Sequence, residues 1–255
     1  MMKRTDFIPD PTPKGKCDKH GEYEFKYIQF NDEYMVADYC VTCVDEKNKS
    51  EEEKRIKEEK EEKIKAKETR RRNNRLYSGI SERNIYKTFD DYICQNEGQS
   101  KAKNDCIRYV KEFPCDKSLI MSGSVGTGKT LLASAILDSL VDDHSCYMIK
   151  VAEIIRTIKS TWRKDSDKDE QDAIDFFVHK DLLIIDEVGV QFGSDTEKLF
   201  IFEIIDGRYQ KMKPTILISN LDIDGIKDSI GERCVDRLRE GGGSMIAFNW
   251  KSQRK

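Results

Sequence analysis

The chain has 255 residues, of which 37% are hydrophobic and 36% charged, and its net charge is −3. This length is sufficient for one substantial α/β domain and a small additional module. The net charge excludes bulk attraction to nucleic acid, so any such binding must depend on local basic patches. No stretch approaches the ~20 apolar residues of a membrane span. Eight cysteines without a signal peptide favour a cytoplasmic protein with reduced thiols or thiolate metal ligands.

Residues 1–44 are expected to form a loose arm followed by a small metal-binding module. The arm contains three of the five prolines. Cys17 and His20 in "CDKH", and Cys40 and Cys43 in "CVTC", form two pairs on either side of an aromatic span. This spacing fits a zinc ribbon, in which three cysteines and one histidine bind Zn²⁺ and the metal supplies the folding energy. The alternative is a set of unconnected side chains.

Residues 45–76 form a highly charged segment between this module and the rest of the chain. Many opposite charges are four residues apart, and Gly and Pro are absent. This pattern favours a single exposed helical linker that buries no core, although the same composition is typical of disorder.

From residue 77 to residue 255, short apolar runs alternate with longer segments of helical periodicity. "SLIMS", "CYMIKV", "DLLIIDEV" and "TILISN" predict buried strands, and the segments between them predict helices. Such alternation is typical of a parallel sheet with helices on both faces. The expected fold class is therefore α/β, with a parallel sheet flanked by helices.

"GSVGTGKT" matches the phosphate-loop pattern G-x-x-x-x-G-K-[ST] and lies between a predicted strand and a predicted helix. Its glycines allow backbone N–H groups to approach phosphate oxygens, and the helix N-terminus adds partial positive charge. We expect Lys129 to contact the β- and γ-phosphates of ATP and Thr130 to bind Mg²⁺. The predicted nucleotide-binding residues of this loop are Gly123, Ser124, Val125, Gly126, Thr127, Gly128, Lys129 and Thr130. A chance glycine-rich turn is disfavoured by the flanking strand and helix.

The segment that begins "VAEIIRTIKSTWRK" predicts an amphipathic helix. Its apolar residues are expected to face the core: Val151, Ile154, Ile155, Ile158 and Trp162. Arg156, Lys159 and Arg163 fall on another face at offsets of three and seven residues. A basic stripe of this kind can follow the phosphates of DNA, but it is also consistent with an ordinary solvated face.

Acidic and amide side chains end two of the predicted strands. Asp186 and Glu187 follow the apolar run "DLLII", where two acids would be costly to bury unless they met a cation. We expect Asp186 to bind the nucleotide's Mg²⁺ together with Thr130, and Glu187 to polarise the attacking water. Asn220 ends "PTILISN" at the same edge of the sheet, where its amide could orient that water. An asparagine at a strand end is otherwise a common turn residue.

"IGERCVDRLREGG" places Arg233 and Arg237 four residues apart, on one side of a predicted helix. Taken alone, the two arginines are consistent with a solvated surface. Their position in the chain gives them a second interpretation, because they follow the phosphate loop, the Asp-Glu strand and the Asn-ended strand.

This order of motifs resembles that of AAA+ ATPases. Residues 77–251 are more narrowly similar to the DnaC-type helicase loaders of the DnaC/IstB-like family, through "VGVQ", "EKLFIFEIIDGRY", "KPTILISN", "IGERCVDRLREGG" and "AFNW". As in these loaders and the related IstB transposition helpers, the short segment after the glycine run leaves no room for a C-terminal helical lid. The cysteine module departs from the loader pattern, whose N-terminal segment is helical and grips the helicase.

The resemblance also implies roles for several residues. Arg233 would be an arginine finger that reaches a neighbour's γ-phosphate, and Arg237 a second phosphate sensor or an interface residue. A finger in trans requires self-association, in this family into a ring or spiral. The helix that contains Arg156, Lys159 and Arg163 would contact single-stranded DNA on the inner surface of the assembly.

The sequence therefore predicts an ATP hydrolase that uses ATP and Mg²⁺, contains Zn²⁺, and loads a hexameric replicative DNA helicase onto single-stranded DNA. An IstB-like ATPase that assists DNA transposition is an alternative, and it would favour double-stranded DNA. A non-hydrolysing adaptor stabilised by nucleotide is a further alternative. A GTPase is disfavoured because no N-K-x-D motif follows the phosphate loop.

Overall fold

The computed structural model describes residues 3–30, 33–189 and 194–253. The chain divides into two compact units, Met1–Glu68 and Thr69–Lys255. Val190 and Gln191, the end of the "VGVQ" run, lie outside the described residues. Within the described ranges, no helix combines the length and the apolar character that a membrane crossing requires.

The first unit contains five short strands and most of a long helix. They are β1 (Lys3–Thr5), β2 (Lys14–Cys17), β3 (Gly21–Glu24), β4 (Lys26–Phe30), β5 (Glu33–Ala37) and α1 (Val41–Leu76). β2 and β3 form an antiparallel hairpin, and β1, β5 and β4 form an antiparallel sheet in that order. The expectation of a loose arm is wrong for residues 3–5. These residues pair with β5 through backbone groups, which need no hydrophobic pattern.

Of the two alternatives for the charged segment, the structure contains the helix. α1 carries ion pairs one turn apart along its exposed surface, such as Lys47 with Glu51 at 3.7 Å and Lys57 with Glu61 at 4.0 Å. Each pair of this kind contributes only about 0.2–0.5 kcal/mol to an isolated helix. The helix is therefore stabilised by many small local terms and not by burial.

The second unit is built on a five-stranded sheet. Its strands are β6 (Leu119–Gly123), β7 (Cys146–Lys150), β8 (Leu182–Val188), β9 (Thr215–Ser219) and β10 (Ser244–Phe248). Its helices, besides the end of α1, are α2 (Glu97–Glu112), α3 (Lys129–Leu140), α4 (Val151–Ser160), α5 (Glu170–Val178), α6 (Asp195–Gln210), α7 (Ile223–Ile230) and α8 (Glu232–Arg239). The strand order is β10-β6-β9-β8-β7, and all neighbours are parallel. The predicted α/β fold class is confirmed.

Both faces of this sheet are buried, which explains why its strands are continuously apolar. On β8, Leu182 and Ile184 pack with α2 and α3, whereas Leu183 and Ile185 pack with α4 to α8. Full burial of one such side chain contributes roughly 1.5–3 kcal/mol. The two hydrophobic layers therefore hold the strand ends, and the polar residues attached to them, in fixed positions.

The predicted core face of α4 is confirmed for four residues, which are buried: Val151, Ile154, Ile155 and Ile158. The prediction is wrong for Trp162, which is 56% exposed. α4 ends at Ser160, so Trp162 lies beyond the helix and leaves its periodicity. Its indole Nε1 donates a hydrogen bond to Glu170 at 2.6 Å, and its ring meets Phe200 only at the edge.

The last turns of α1 are bonded to α3 and to the turn that follows it, within the second unit. Arg75 is only 9% exposed, and it donates hydrogen bonds to Asp138 Oδ1 at 2.5 Å and to Asp142 Oδ1 at 3.2 Å. Arg71 Nε donates to the other oxygen of Asp142 at 2.5 Å. Charge-assisted bonds of this kind are among the stronger ones in proteins. The end of the charged helix is therefore anchored to the helix that begins at Lys129.

Candidate nucleotide-binding site and metal centre

The phosphate loop connects β6, which lies between β10 and β9 in the sheet, to α3. Gly128 has a φ of +93°, and a Cβ atom at this position would lie 2.3 Å from the ring of Tyr92, so only glycine fits. Lys129 is 5% exposed, and its Nζ donates to the carbonyl oxygens of Gly123 at 2.6 Å and Ser124 at 2.8 Å. The lysine therefore lies across the loop, where phosphate oxygens could take the place of these carbonyls.

The residues predicted to bind magnesium lie together. Thr130 Oγ1 donates a hydrogen bond to Asp186 Oδ2 at 3.0 Å. Burial raises the pKa of the Asp186 carboxyl, although a bond from the Glu187 backbone N–H to Oδ1 acts in the opposite direction. A hydroxyl and a carboxylate side by side supply the oxygen ligands that Mg²⁺ prefers. The donor set therefore fits the ion.

Glu187 and Asn220 reach the same cleft. Glu187 has a φ of +58°, a left-handed conformation that is uncommon for a residue other than glycine. Its carboxylate pairs with Lys150 Nζ at 2.9 Å. Asn220 is exposed immediately after β9. Parallel strands β8 and β9 end at the same edge of the sheet, which explains why the two side chains lie on one cleft.

This cleft has a volume of about 870 Å³, within the usual range of roughly 300–1,000 Å³ for small-molecule sites. Its lining includes most of the predicted loop residues together with Lys150, Asp186, Glu187 and Asn220. Among the lining residues that were not predicted from the sequence, four lie outside the strands and helices of the second unit: Ser81, Arg83, Asn84 and Gln253. These residues belong to no recognised motif. The only feature of the sequence that could have indicated them is their position on either side of the predicted α/β core.

The two arginines of α8 occupy different environments. Arg233 is exposed in the first turn of the helix. Arg237 Nε donates to Asp206 Oδ1 at 3.0 Å, and its guanidinium lies 4.3 Å from the centre of the Tyr209 ring. The described residues that line the cleft include neither arginine. An arginine of α8 that contacts a γ-phosphate would therefore do so in the cleft of a neighbouring chain.

The predicted basic stripe is interrupted. Arg156 is exposed on α4, but Lys159 Nζ bonds to Glu197 Oε1 on α6 at 2.6 Å. Arg163 lies past Ser160, the last residue of α4. The expectation of three basic residues along one helical face is wrong, because the helix ends too early and one charge is paired. Arg156 and Arg163 remain the exposed members of the group.

The four predicted zinc ligands converge in the first unit. Cys17 ends β2, Cys40 directly precedes α1, and Cys43 lies in its first turn. His20 Nδ1 lies 3.2–3.8 Å from all three cysteine sulfurs, and the four ligand atoms lie within 4.8 Å of one another. A tetrahedral zinc ion with Zn–S of about 2.3 Å requires sulfurs roughly 3.8 Å apart. The Cys17 and Cys43 sulfurs are 3.5 Å apart, so the donor set fits zinc.

Neighbouring groups support this cluster. Backbone N–H groups, first of Lys19 and then of His20, lower the pKa of Cys17 to about 6, which favours the thiolate that binds metals. The second ring nitrogen of His20 lies 3.2 Å from Glu46 Oε1. A carboxylate at this position orients the ring so that Nδ1 faces the cysteines.

Comparisons with known proteins agree with this geometry. A family model described as IstB-like ATP binding protein matches residues 36–236. The replicative helicase loader DnaC of Buchnera aphidicola subsp. Baizongia pistaciae is 38% identical over 180 residues, which cover 70% of this chain and 73% of that protein. DnaC of Escherichia coli strain K12 is 37% identical over 179 residues, or 69% and 73% of the two chains.

Solved structures support the fold. A crystal structure of the DnaC helicase loader superimposes with a TM-score of 0.59 at 23% identity, and covers 66% of this chain and 99% of that one. The replication initiator DnaA bound to AMPPCP and single-stranded DNA superimposes with a TM-score of 0.57 at 20% identity, covering 68% and 51%. The family model and the DnaC relatives show that this chain belongs to the DnaC/IstB-like family of ATP-binding proteins, and its AAA+ fold agrees with that membership.

Proposed function

We propose that this protein is an ATP-dependent loader of a hexameric replicative helicase onto single-stranded DNA, acting in the cytoplasm during DNA replication. The observation that carries the proposal is a cleft lined by the phosphate loop, Asp186, Glu187 and Asn220, in a chain 38% identical to a replicative helicase loader. The cleft supports ATP binding and hydrolysis, and the similarity to helicase loaders supports the biological role.

Each side chain of the cleft has a distinct task in this proposal. Lys129 would exchange its two carbonyl partners for phosphate oxygens and neutralise their charge. Thr130 and Asp186 would hold Mg²⁺, which supplies further charge neutralisation between the phosphates. Glu187 would accept a proton from the attacking water after its ion pair with Lys150 opens, and Asn220 would orient that water.

Hydrolysis would be completed between chains. Arg233 is exposed at the start of α8 and is absent from the described lining of its own cleft. Such an arginine could stabilise the charge that develops on a neighbour's γ-phosphate, and this role requires a ring or spiral of protomers. We place Arg237 at the same interface, as a second phosphate sensor or as an interface residue.

The zinc site would serve the first unit structurally. Its strands are short and its side chains mostly exposed, so a metal held by Cys17, His20, Cys40 and Cys43 would supply much of its folding energy. The folded unit would then contact either the helicase or DNA.

Loading can be tested on circular single-stranded DNA. A closed helicase ring can encircle such DNA only if the ring opens, because the DNA has no free end. The helicase, the DNA, ATP and this protein are mixed, and DNA-bound helicase is separated by gel filtration. We expect the helicase to co-elute with the DNA only when both this protein and ATP are present. The Lys129→Ala variant should not support this co-elution. Equal retention without the protein would contradict the proposal.

An IstB-like role in transposition is the second candidate, and the match of the IstB-like family model over residues 36–236 favours it. Comparison of affinity for single-stranded and double-stranded DNA separates the two, since a transposition helper would prefer the duplex. The non-hydrolysing adaptor predicts ATP binding without turnover, which an ATPase assay in the presence of DNA decides.

A further inference from the structure

The chain after β10 runs back along the phosphate loop. Trp250 Nε1 donates a hydrogen bond to the carbonyl oxygen of Thr127 at 3.1 Å. The backbone N–H of Gln253 donates to the carbonyl oxygen of Gly126 at 2.8 Å. The Tyr92 hydroxyl also donates to the Thr127 carbonyl, at 3.1 Å. Three donors from distant parts of the sequence therefore bind two adjacent carbonyls of the loop.

These bonds fix the direction of the loop's own donors. In a planar trans peptide, the carbonyl of one residue and the N–H of the next point in opposite directions. Holding the Gly126 carbonyl therefore orients the N–H of Thr127, and holding the Thr127 carbonyl orients the N–H of Gly128. Both Thr127 and Gly128 line the nucleotide cleft. Phosphate loops bind their ligand largely through such N–H groups.

The loop needs this support because of its composition. Gly126 and Gly128 both have positive φ values, and glycine loses more conformational freedom on ordering than other residues. A loop that is ordered before the ligand arrives does not have to lose this freedom on binding. The distant donors therefore favour a preorganised phosphate site.

The donating segment is itself attached to the second unit. The Trp250 ring packs on Phe248 with ring centres 5.0 Å apart. The Gln253 side chain donates to the carbonyl oxygen of Ile93 at 3.1 Å, and Gln253 also lines the cleft. We call residues 249–253 the C-terminal strap.

We infer that the C-terminal strap is a positioning element of the nucleotide site, which holds the phosphate loop in its binding conformation through Trp250 and Gln253. Because Trp250 bonds the loop directly, the negative charge of a nucleotide bound there should in turn change the electrostatic environment of its indole. The inference rests on the nucleotide binding of the proposed function and is independent of helicase loading.

Fluorescence of Trp250 tests the coupling. The chain has two tryptophans, and Trp162→Phe leaves Trp250 as the single reporter. We expect its emission to change on titration with ATP and Mg²⁺, and to saturate at the concentration at which a fluorescent ATP analogue saturates. Adding Lys129→Ala should abolish the change. Saturable binding of the analogue with constant Trp250 emission would overturn the coupling.

Matched variants test the positioning. Trp250→Phe keeps an aromatic ring but removes the donor, and a chain ending at Lys251 removes the Gln253 N–H. Trp162→Phe is the control, because it removes the same kind of indole donor from a residue that bonds Glu170 and is not among the described residues of the cleft lining. We expect Trp250→Phe and the truncated chain to weaken ATP-analogue binding roughly 3- to 10-fold, the typical effect of one hydrogen bond, and Trp162→Phe to bind like the parent.

The possible outcomes distinguish an effect of the strap on nucleotide affinity from a general loss of stability or of the nucleotide site. Thermal midpoints without nucleotide should stay close to that of the parent. Parent-like affinity in Trp250→Phe overturns the inference, including when only its thermal midpoint falls. If the truncated chain does not fold, Trp250→Phe alone decides. If the parent protein binds no nucleotide, the proposed function is overturned. If the parent binds nucleotide and the strap variants bind it equally well, only the inference about the strap is overturned.

Discussion

Thr130 on α3 and Asp186 on β8, 56 residues apart in sequence, are joined by a 3.0 Å hydrogen bond that places two oxygens side by side. Asp186 is only 7% exposed, and burial raises the pKa of its carboxyl. An ionised carboxylate at such a position destabilises the nucleotide-free chain. The arrangement that suits a bound cation therefore reduces stability when none is bound.

Asp186→Asn should accordingly stabilise the nucleotide-free protein at neutral pH and abolish Mg²⁺-dependent ATP binding. Because the folded pKa is raised, the destabilisation is present above that pKa and disappears as the pH falls below the unfolded value. About 1 kcal/mol would raise the thermal midpoint by roughly 2–4 °C. Thermal unfolding at pH 7 and at low pH measures the effect, and the gain over the parent should shrink as the pH falls.

Asp181→Asn is the control with the opposite sign. Burial acts against ionisation here too, but bonds from Lys213 and Ser145 lower the pKa of Asp181 to about 2. Its carboxylate stabilises the fold above the unfolded pKa, so Asp181→Asn should lower the midpoint at pH 7 and leave ATP binding intact. A lower midpoint for both variants would show that Asp186 is adequately compensated without a cation.

The protein should contain one Zn²⁺ per chain. Cys43→Ser should lower the zinc content sharply, because it removes one of four ligands, whereas Cys115→Ser in the second unit should retain the parent value. Elemental analysis of protein purified without chelator measures both. ATP binding should survive removal of the zinc, measured with Mg²⁺ restored after chelation, since the nucleotide cleft lies entirely in the second unit. A parent without zinc would contradict the site.

Arg156→Glu with Arg163→Glu should weaken single-stranded DNA binding more than ATP binding. Both arginines are exposed, and loss of phosphate contacts reduces affinity and its dependence on salt. Arg70→Glu with Arg72→Glu, at two exposed arginines of α1, is the control for the same change in net charge. Lys159 is unsuitable for this test, because its substitution also breaks the bond to Glu197. Equal effects of the double variant and the control would return these arginines to an ordinary solvated surface.

Two inactive variants should restore activity when mixed. Glu187→Gln should bind ATP without hydrolysing it, because the amide cannot accept a proton from water. Arg233→Ala should also bind ATP but turn it over at least ~10³-fold more slowly, since each site lacks the neighbour's positive charge. Mixed assemblies contain junctions where an intact Glu187 faces an intact Arg233.

ATPase activity of the mixture, measured with DNA or helicase present to support assembly, checks this prediction. Separate assays of each variant give the baseline, and co-elution on gel filtration shows that the two proteins assemble together. Persistent inactivity at every mixing ratio, despite co-assembly, would remove Arg233 from the role of a finger in trans.

The sequence predicts the parallel sheet and the donors of the cleft because their chemistry is local. The phosphate loop is eight consecutive residues, and Asp186 and Glu187 directly follow a run of apolar residues. Periodicity of two or 3.6 residues identifies the elements, and the parallel arrangement brings the strand ends to one edge. The positions of Lys129, Thr130 and Asp186 follow from these rules.

What the sequence does not predict depends on contacts between distant segments. Lys159 meets Glu197 across 38 residues, and Trp250 meets Thr127 across 123. Helix periodicity assigned Trp162 to the core, but it cannot show that α4 ends two residues earlier. Such features depend on where helices end and on which surfaces they face, and neither is encoded in a short window.

The bonds from Arg71 and Arg75 to Asp138 of α3 and to Asp142, just after that helix, bear on how the protein can be divided into fragments. A fragment that starts at residue 77, where apolar periodicity begins, would leave Asp138 and Asp142 without these arginines. Removing one partner of a largely buried ion pair is costlier than never forming the pair. The destabilisation would fall on α3, which begins at Lys129 of the phosphate loop. An isolated ATPase fragment should therefore be cut at Thr69, within the continuous helix.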